Sequence, residues 1–199
     1  MGTVSVLKHK YRITFNSPVV LGFAAVCFIA MIANYVTRGV SNRVLFMTYH
    51  SSLTSPMTYV RLFTHVFGHS GWEHFIGNMS YILLLGPMLE EKYGSKRIGQ
   101  IIVITAFVTG VINYVFFGNI ALCGASGICF AFILLSSFTG FREGEIPLTV
   151  ILVAVIFLGQ QIYEGIVVQD NISNMAHVIG GIVGGVIGFS LNKIHPVMK

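Results

Sequence analysis

Long apolar stretches alternate with short segments that carry nearly all of the charged residues. A helix needs about 20 mostly apolar residues to cross the hydrocarbon core of a bilayer, and most of the stretches approach this length. Pro18, preceded by the potential capping residues Asn16 and Ser17, suits the first turn of the first helix. The pattern predicts six transmembrane helices, at about 18–36, 74–90, 98–117, 126–138, 147–163 and 175–191.

The fourth of these helices is the shortest. Residues 98–141 include no charge, so two helices must share that stretch, with Gly118 and Asn119 as the turn between them. A helix that begins at Ser126 would be roughly 20 Å long, whereas the hydrocarbon core is about 30 Å thick. Either residues 119–125 are helical as well, or the helix begins below the membrane surface and Ser126 lies in a cavity.

The connection between the first two helices, residues 38–73, is too apolar for an ordinary loop. Apolar residues recur in it at helical spacing: Tyr59, Val60, Leu62, Phe63, Val66 and Phe67. A segment of this kind lies in the membrane interface with its apolar face toward lipid. We therefore expect a partly embedded loop between helices 1 and 2.

Composition and charge agree with a membrane protein. Hydrophobic residues make up 54% of the chain and charged residues 10%, whereas soluble domains carry about a quarter charged residues. The net charge of +5 comes from basic residues spread between the apolar stretches, so it does not indicate nucleic-acid binding. We predict a membrane-lipid environment and no nucleic-acid partner.

The basic residues also predict the orientation, because cytoplasmic loops are enriched in Lys and Arg. An N-terminus inside the cell puts nine of the basic residues in cytoplasmic segments and leaves Arg38, Arg43 and Arg61 outside. Both termini are then cytoplasmic, with residues 1–16 as a short N-terminal tail. Neither a repeat nor a change of composition divides the chain, so we treat residues 1–199 as one domain.

Polar side chains inside membrane helices are costly and often functional. Ser126 lies in the small-residue segment 124–127, Gly-Ala-Ser-Gly, at the start of the fourth helix. Gly124 and Gly127 would let a substrate backbone approach, and the free N–H groups of a helix N-terminus suit an oxyanion. On its own, such a segment is more often a packing surface between helices.

His177 is the candidate general base, because histidine titrates near neutral pH. Alone, it would more often be a hydrogen-bonding residue between helices. Gly180, Gly184 and Gly188 follow it at four-residue spacing, which allows another helix to approach closely. If that helix is the fourth, the glycines set the distance between His177 and Ser126; the same glycines suit dimerisation equally well, so the oligomeric state stays open.

The residues favour a catalytic Ser–His pair over other kinds of catalytic site. Phe130, one turn after Ser126, is placed to stack on the imidazole. Asp170 is the only aspartate and lies in a predicted loop, so we predict a Ser–His dyad rather than a triad or an aspartate pair. The cysteines have no metal-binding or redox spacing and are expected to pack as small apolar residues: Cys27, Cys123 and Cys129.

Two histidine-containing pairs precede the serine. His74 and Asn78 are four residues apart, so they share one helix face and can both donate side-chain hydrogen bonds to an oxyanion. His65 and His69 form another such pair, but the HExxH motif of zinc proteases is missing. We predict no metal and no cofactor, and we assign His65 and His69 to structural hydrogen bonds.

Together these residues resemble the rhomboid intramembrane serine proteases, in particular the six-helix bacterial GlpG type. The resemblance extends over residues 18–191 and is carried by an ordered set of motifs. They are His65-x3-His69-x4-His74-x3-Asn78, Leu85-Gly86 followed by Glu90 and Gly94, GxSG at residues 124–127, and AHxxG at residues 176–180.

The resemblance implies an all-α membrane protein, a six-transmembrane-helix rhomboid bundle. Ser126 would attack a peptide carbonyl and His177 would take its proton. His74, Asn78 and the Ser126 backbone N–H would stabilise the oxyanion. Supporting roles would fall to Gly124, Gly127, Phe130 and Gly180.

The same resemblance implies transmembrane proteins as substrates, cut near the outer, periplasmic face of a bacterial inner membrane. Substrate would enter past helices 2 and 5, beneath a loop at Glu164–Asn174. Two positions depart from the family: Phe130 stands where Tyr is frequent, and Val60-Arg61 stands where Trp-Arg is usual.

Two other functions remain to be weighed. A catalytically inactive rhomboid-like protein would use the same fold to bind transmembrane segments, although such relatives lose the serine or the histidine and this chain has both. A transporter or channel would be expected to show paired charges or inverted repeats, and the sequence shows neither.

Overall fold

The computed structural model describes residues 13–117, 120–139, 145–167 and 171–194. Within these ranges all regular structure is helical, apart from one isolated antiparallel bridge between Thr48 and Leu122. The elements are α1 (Pro18–Val36), α2 (Val40–Leu45), α3 (Pro56–Thr64), a 3-10 turn (His65–Phe67), α4 (Trp72–Tyr93), α5 (Ser95–Phe116), α6 (Ser126–Ser137), α7 (Leu148–Val153), a π turn (Ala154–Leu158), α8 (Gly159–Val167) and α9 (Asn171–Ile194).

The structure has helical residues in each of the six ranges predicted to cross the membrane. The helices α1, α5 and α9 are long and apolar enough to cross a membrane, and shorter apolar helices lie at Ser126–Ser137 and Leu148–Tyr163. The all-helical class is confirmed for the described residues, whereas the count of six transmembrane helices stays a prediction. Most of the predicted tail and the turn at residues 118–119 lie outside the described residues.

The boundary between the last two helices differs from the sequence prediction. A loop was expected at Glu164–Asn174, but α8 continues to Val167 and α9 begins at Asn171. The apolar spacing of Ile162 and Ile166 extends the helix beyond the predicted end. Residues 168–170, between these two helices, lie outside the described ranges.

The short helix α6 lies at the centre of the fold. Most of its residues between Gly127 and Leu135 are buried, and it packs against α9 with almost no side chains between the two backbones. A β-carbon on Gly180 would lie 2.0 Å from the Gly127 carbonyl oxygen, and one on Gly184 would lie 2.2 Å from that of Ala131. The glycine stripe of α9 therefore faces α6.

The sequence left open whether residues 119–125 are helical or whether the fourth helix begins only at Ser126. Residues 120–125 are not helical, and the N–H groups of Thr48 and Leu122 each donate to the other's carbonyl at 2.9 Å. Asn113 Nδ2 donates to the carbonyls of Thr48 and Ile120 at 3.3 and 3.1 Å. These bonds satisfy an irregular segment that would otherwise bury unpaired backbone groups, so α6 begins only at Ser126.

The loop between α1 and α4 packs on α5. A β-carbon on Gly110 would lie 2.5 Å from the Leu62 carbonyl oxygen, so α3 and α5 approach closely. Helix α3 turns its polar residues inward: Arg61 is buried and donates to the Tyr49 hydroxyl at 2.6 Å and the Ser51 hydroxyl at 2.9 Å. Tyr59, by contrast, is 52% exposed, so the outward face of α3 is largely apolar.

Glu90, near the end of α4, caps the N-terminus of α1 and bonds to a side chain at the start of α5. One carboxylate oxygen accepts from the Val19 N–H at 3.0 Å and from the Ser95 hydroxyl at 2.6 Å, and the other accepts from the Val20 N–H at 3.0 Å. The first-turn N–H groups of a helix lack intrahelical acceptors and favour negative charge. Glu90 therefore joins α4 to the N-termini of α1 and α5.

Candidate active site

Ser126 is the first residue of α6 and is partly exposed. The chain reaches it through Gly124, whose φ of +128° is in the region that favours glycine. The Gly124 N–H donates to the His65 carbonyl at 3.0 Å, which holds this turn in place. The N–H of the first residue of a helix has no intrahelical acceptor, so Ser126 combines a hydroxyl with a backbone donor.

His74 and Asn78 on α4 both face Gly124. A β-carbon on Gly124 would lie 2.7 Å from His74 Nε2 and 3.6 Å from Asn78 Nδ2. Glycine is therefore required here for space as well as for its backbone conformation. The two potential hydrogen-bond donors, His74 Nε2 and Asn78 Nδ2, thus lie within a few ångströms of Gly124, two residues before Ser126.

Two neighbours orient these donors. The Cys129 thiol lies 3.4 Å from the Asn78 carbonyl oxygen and 3.6 Å from Asn78 Oδ1, and the Nδ2 end of the amide is directed toward Gly124. Nδ2 is buried and has no hydrogen-bond acceptor among the described residues. Ser70 Oγ lies 3.1 Å from His74 Nδ1; when the hydroxyl donates, Nε2 carries the proton of the neutral ring.

His177 lies beside the same end of α6. Its ring stacks on Phe130, with the centroids 4.4 Å apart and an interplanar angle of 5°. The predicted stacking is therefore present with Phe in place of Tyr. On its far side, His177 Nδ1 lies 2.5 Å from Gln161 Oε1 of α8.

The backbones next to Ser126 and His177 are also in contact. A β-carbon on Gly127 would lie 3.3 Å from the Ala176 carbonyl oxygen, and one on Gly180 would overlap Gly127. Ser126 directly precedes Gly127, and His177 directly follows Ala176. The structure thus brings the predicted dyad, the two donors and the supporting glycines to one end of α6.

His65 and His69, in the segment before α4, each form a hydrogen bond to a backbone carbonyl. His65 Nε2 bonds to the Ala106 carbonyl at 3.0 Å, and His69 Nδ1 bonds to the Phe67 carbonyl at 3.2 Å. Burial lowers the pKa of each imidazole to about 4, so both rings are neutral at physiological pH. In the described part of the chain, no three His, Cys, Asp or Glu side chains are grouped to hold a metal ion.

Cys123 is the thiol nearest in sequence to Ser126 outside α6. Burial raises its pKa to about 11, so it is a protonated thiol at neutral pH and a poor nucleophile. This favours Ser126 over Cys123 as the reactive residue.

Three residues of this region were missed from the sequence: Ser70, Cys129 as a partner of Asn78, and Gln161. The signal for Gln161 was available, because it is a polar residue within an apolar helix and such residues are expensive in membranes. Cys129 gave no comparable signal, since its contact with Asn78 depends on the packing of α4 against α6, and Ser70 gave none because it precedes α4 in a polar turn.

Comparison with known proteins identifies the family of the chain. The rhomboid domain model matches residues 56–194, about two thirds of the chain. RHOMBOID-like protein 7 of Arabidopsis thaliana is 29% identical over 143 residues, which cover 68% of this chain and 44% of that protein. Rhomboid-related protein 2 of Mus musculus is 28% identical over 160 residues, which cover 70% and 53%. The chain thus spans about half the length of these curated relatives.

A bacterial relative is matched over nearly its whole length. Rhomboid protease GlpG of Haemophilus influenzae is 24% identical over 184 residues, which cover 88% of this chain and 92% of that protein. The family match extends from α3 through α9, and it includes the segment around Ser126 and the one around His177. The chain therefore belongs to the rhomboid family, and it is an integral membrane protein with apolar helices.

Proposed function

We propose that this protein is an intramembrane serine endopeptidase that cuts transmembrane segments near the outer face of a bacterial inner membrane. One observation carries the proposal. The buried Asn78 Nδ2, which has no acceptor among the described residues, and His74 Nε2 both face the turn that leads into Ser126. A buried unpaired donor costs free energy, and a substrate oxyanion would satisfy it.

The reaction follows from the roles of these groups. Ser126 Oγ attacks the peptide carbonyl carbon while His177 Nε2 takes the hydroxyl proton. Asn78 Nδ2–H, His74 Nε2–H and the Ser126 backbone N–H bind the oxygen as its negative charge develops. His177 then gives the proton to the leaving amine, and water hydrolyses the acyl-enzyme by the same steps.

The proposed orientation places this site toward the outer side, with both termini in the cytoplasm and six membrane crossings. The nine basic residues assigned to the cytoplasm against three outside support it. A cleft of about 340 Å³ lined by Ser70, Gly71, Glu73 and His74 opens beside the proposed oxyanion donors. A locally unwound substrate segment reaches Ser126 from this side.

The test is cleavage of a single-span model substrate by the purified protein in detergent, with a metal chelator present throughout. Wild type, Ser126→Ala and His177→Ala are compared, each with its thermal unfolding measured. We expect cleavage by wild type alone. Equal cleavage by folded Ser126→Ala would contradict the assigned nucleophile. Binding of the substrate by wild type without cleavage would favour the rhomboid-like binding protein instead.

A further inference from the structure

We propose that Gln161 is a positioning residue for His177: its side-chain carbonyl accepts the Nδ1 proton of the imidazole, so that Nε2 is unprotonated and acts as the base. This inference rests on the proposed function. It adds a hydrogen bond to the stacking of the imidazole on Phe130.

The hydrogen bond has a defined direction. Gln161 Oε1 lies 2.5 Å from His177 Nδ1, and an amide oxygen can only accept. His177 Nδ1 therefore carries the proton, and in a neutral imidazole the other nitrogen then has the free lone pair. This is the tautomer that removes a proton from a serine hydroxyl through Nε2.

Stacking alone does not select this tautomer. Phe130 lies parallel to the ring at 4.4 Å, which fixes the plane of the imidazole. A flat apolar ring makes no hydrogen bond to either nitrogen, so it accepts both tautomers and a ring rotated by 180°. The contact with Gln161 removes this ambiguity, because Oε1 can accept a hydrogen bond from Nδ1 only when Nδ1 carries the proton.

The helix that carries Gln161 is built to place it there. A π turn at Ala154–Leu158 precedes α8, and the wider turn rotates all following residues relative to a regular α-helix. π turns are rare and occur frequently at functional sites. The end of the π turn packs closely against α9: a β-carbon on Gly181, one turn after His177, would lie 2.5 Å from Leu158 Cδ2.

The burial of Gln161 agrees with a specific role. Its side chain is only 7% exposed, and a buried amide costs free energy unless it is hydrogen-bonded. The preceding residue, Gln160, is exposed. The pair therefore provides a test residue and a matched control of the same type on the same helix.

The first readout is the tautomer of His177, measured by nitrogen NMR on protein labelled with ¹⁵N-histidine and assigned with His177→Ala. This measurement requires no proteolysis. We expect wild type to show a protonated Nδ1 and an unprotonated Nε2. In Gln161→Leu we expect a mixture of tautomers, and in Gln160→Leu the wild-type signal. A protonated Nε2 in the wild-type protein would overturn the inference.

The second readout is turnover of the model substrate. We expect Gln161→Leu to lower kcat by about 10- to 100-fold with KM within about twofold, a smaller loss than the roughly 10⁴-fold cost of a wrong tautomer in a Ser-His-Asp triad. Gln161→Glu, which keeps an acceptor, should recover most of the rate. Unchanged kcat and unchanged tautomer in folded Gln161→Leu would refute the role. If wild type itself does not cleave, the proposed function fails, while the NMR result still decides the contact.

Discussion

At the scale of single residues, the orientation of the donors depends on their immediate neighbours. Cys129 contacts Asn78 Oδ1 and Ser70 contacts His74 Nδ1, and both contacts direct the other end of the polar group toward Gly124. The four-residue spacing in the sequence predicts that His74 and Asn78 share a face. It does not predict which end of the amide points to the site, because the amide rotates freely until its neighbours are in place.

Removal of either donor is expected to slow the proposed reaction. His74→Ala and Asn78→Ala should each lower kcat by about 10- to 1000-fold, the range seen for lost oxyanion donors, with a smaller effect on KM. Ser80→Ala, an exposed position on the same helix, is the control and should keep full activity. Full activity in the folded double variant of His74 and Asn78 would refute their role.

The two buried histidines of the loop predict acid sensitivity. The pKa of His65 and that of His69 are lowered by burial to about 4, below the value of about 6.5 in an unfolded chain. The unfolded protein therefore binds more protons, and the stability is full above pH 6.5 and is lost as the pH falls toward 4. Thermal unfolding in detergent from pH 7.5 to 4.5 should show this loss.

Substitution separates this effect from general acid denaturation. His65→Gln keeps a donor for the Ala106 carbonyl but does not titrate, so its melting temperature should fall less steeply with acid than that of wild type. His50→Gln, at an exposed position, should follow wild type. Identical slopes for all three proteins would show that His65 does not contribute.

At the scale of elements, the contact between α6 and α9 organises the site. Ser126 and Phe130 lie on α6 and His177 lies on α9, so the spacing of these two helices sets the geometry of the proposed dyad. The glycine stripe allows the two backbones to touch. Such contact stabilises membrane helices, which gain little from the hydrophobic effect within lipid.

The glycines of α9 differ in what surrounds them, and this gives a matched pair of variants. A β-carbon on Gly180 would overlap the Gly127 backbone, whereas nothing lies within 4 Å of one on Gly185. Gly180→Ala should lower the free energy of unfolding by about 1–3 kcal/mol and reduce activity, because a backbone cannot move aside like a side chain. Gly185→Ala should stay within about 0.5 kcal/mol of wild type. Equal effects of the two would contradict the packing described.

The positions of the helices are largely predictable from the length of the apolar stretches in the sequence, but the irregularities within and between the helices are not. Pro18 and the charge-poor run that follows it predict α1 to the residue. For residues 120–125 the sequence leaves two alternatives open, and hydrogen bonds to Thr48 and Asn113 decide between them. The π turn before α8 leaves no mark in an apolar pattern, so the contact between Gln161 and His177 emerges only from the fold.

At the scale of the whole molecule, the most buried helix is the one that begins at Ser126, and the surrounding helices direct large apolar side chains outward. Examples are Phe28, Leu84, Val103 and Val186, which are between 48% and 69% exposed. A soluble surface of this kind would aggregate, whereas lipid accommodates it. The short central helix places Ser126 at the end of an irregular segment, enclosed by the outer helices.

The proposed orientation predicts which segments a membrane-impermeant reagent reaches. Thr54 in the loop before α3 and Lys96 near the start of α5 are both exposed, and they lie on opposite sides in the proposed topology. In intact cells, Thr54→Cys should react with an impermeant maleimide and Lys96→Cys should react only after lysis. The reverse pattern would invert the topology.

The central claim, that Ser126 is an activated nucleophile, is tested most directly by labelling with a fluorophosphonate, which needs no knowledge of the natural substrate. The serine oxygen displaces fluoride from phosphorus, and mass spectrometry locates the adduct. We predict one adduct, at Ser126, that is lost in folded His177→Ala. Labelling scattered over other hydroxyl groups, or an adduct at Ser126 that forms equally fast without His177, would contradict the account.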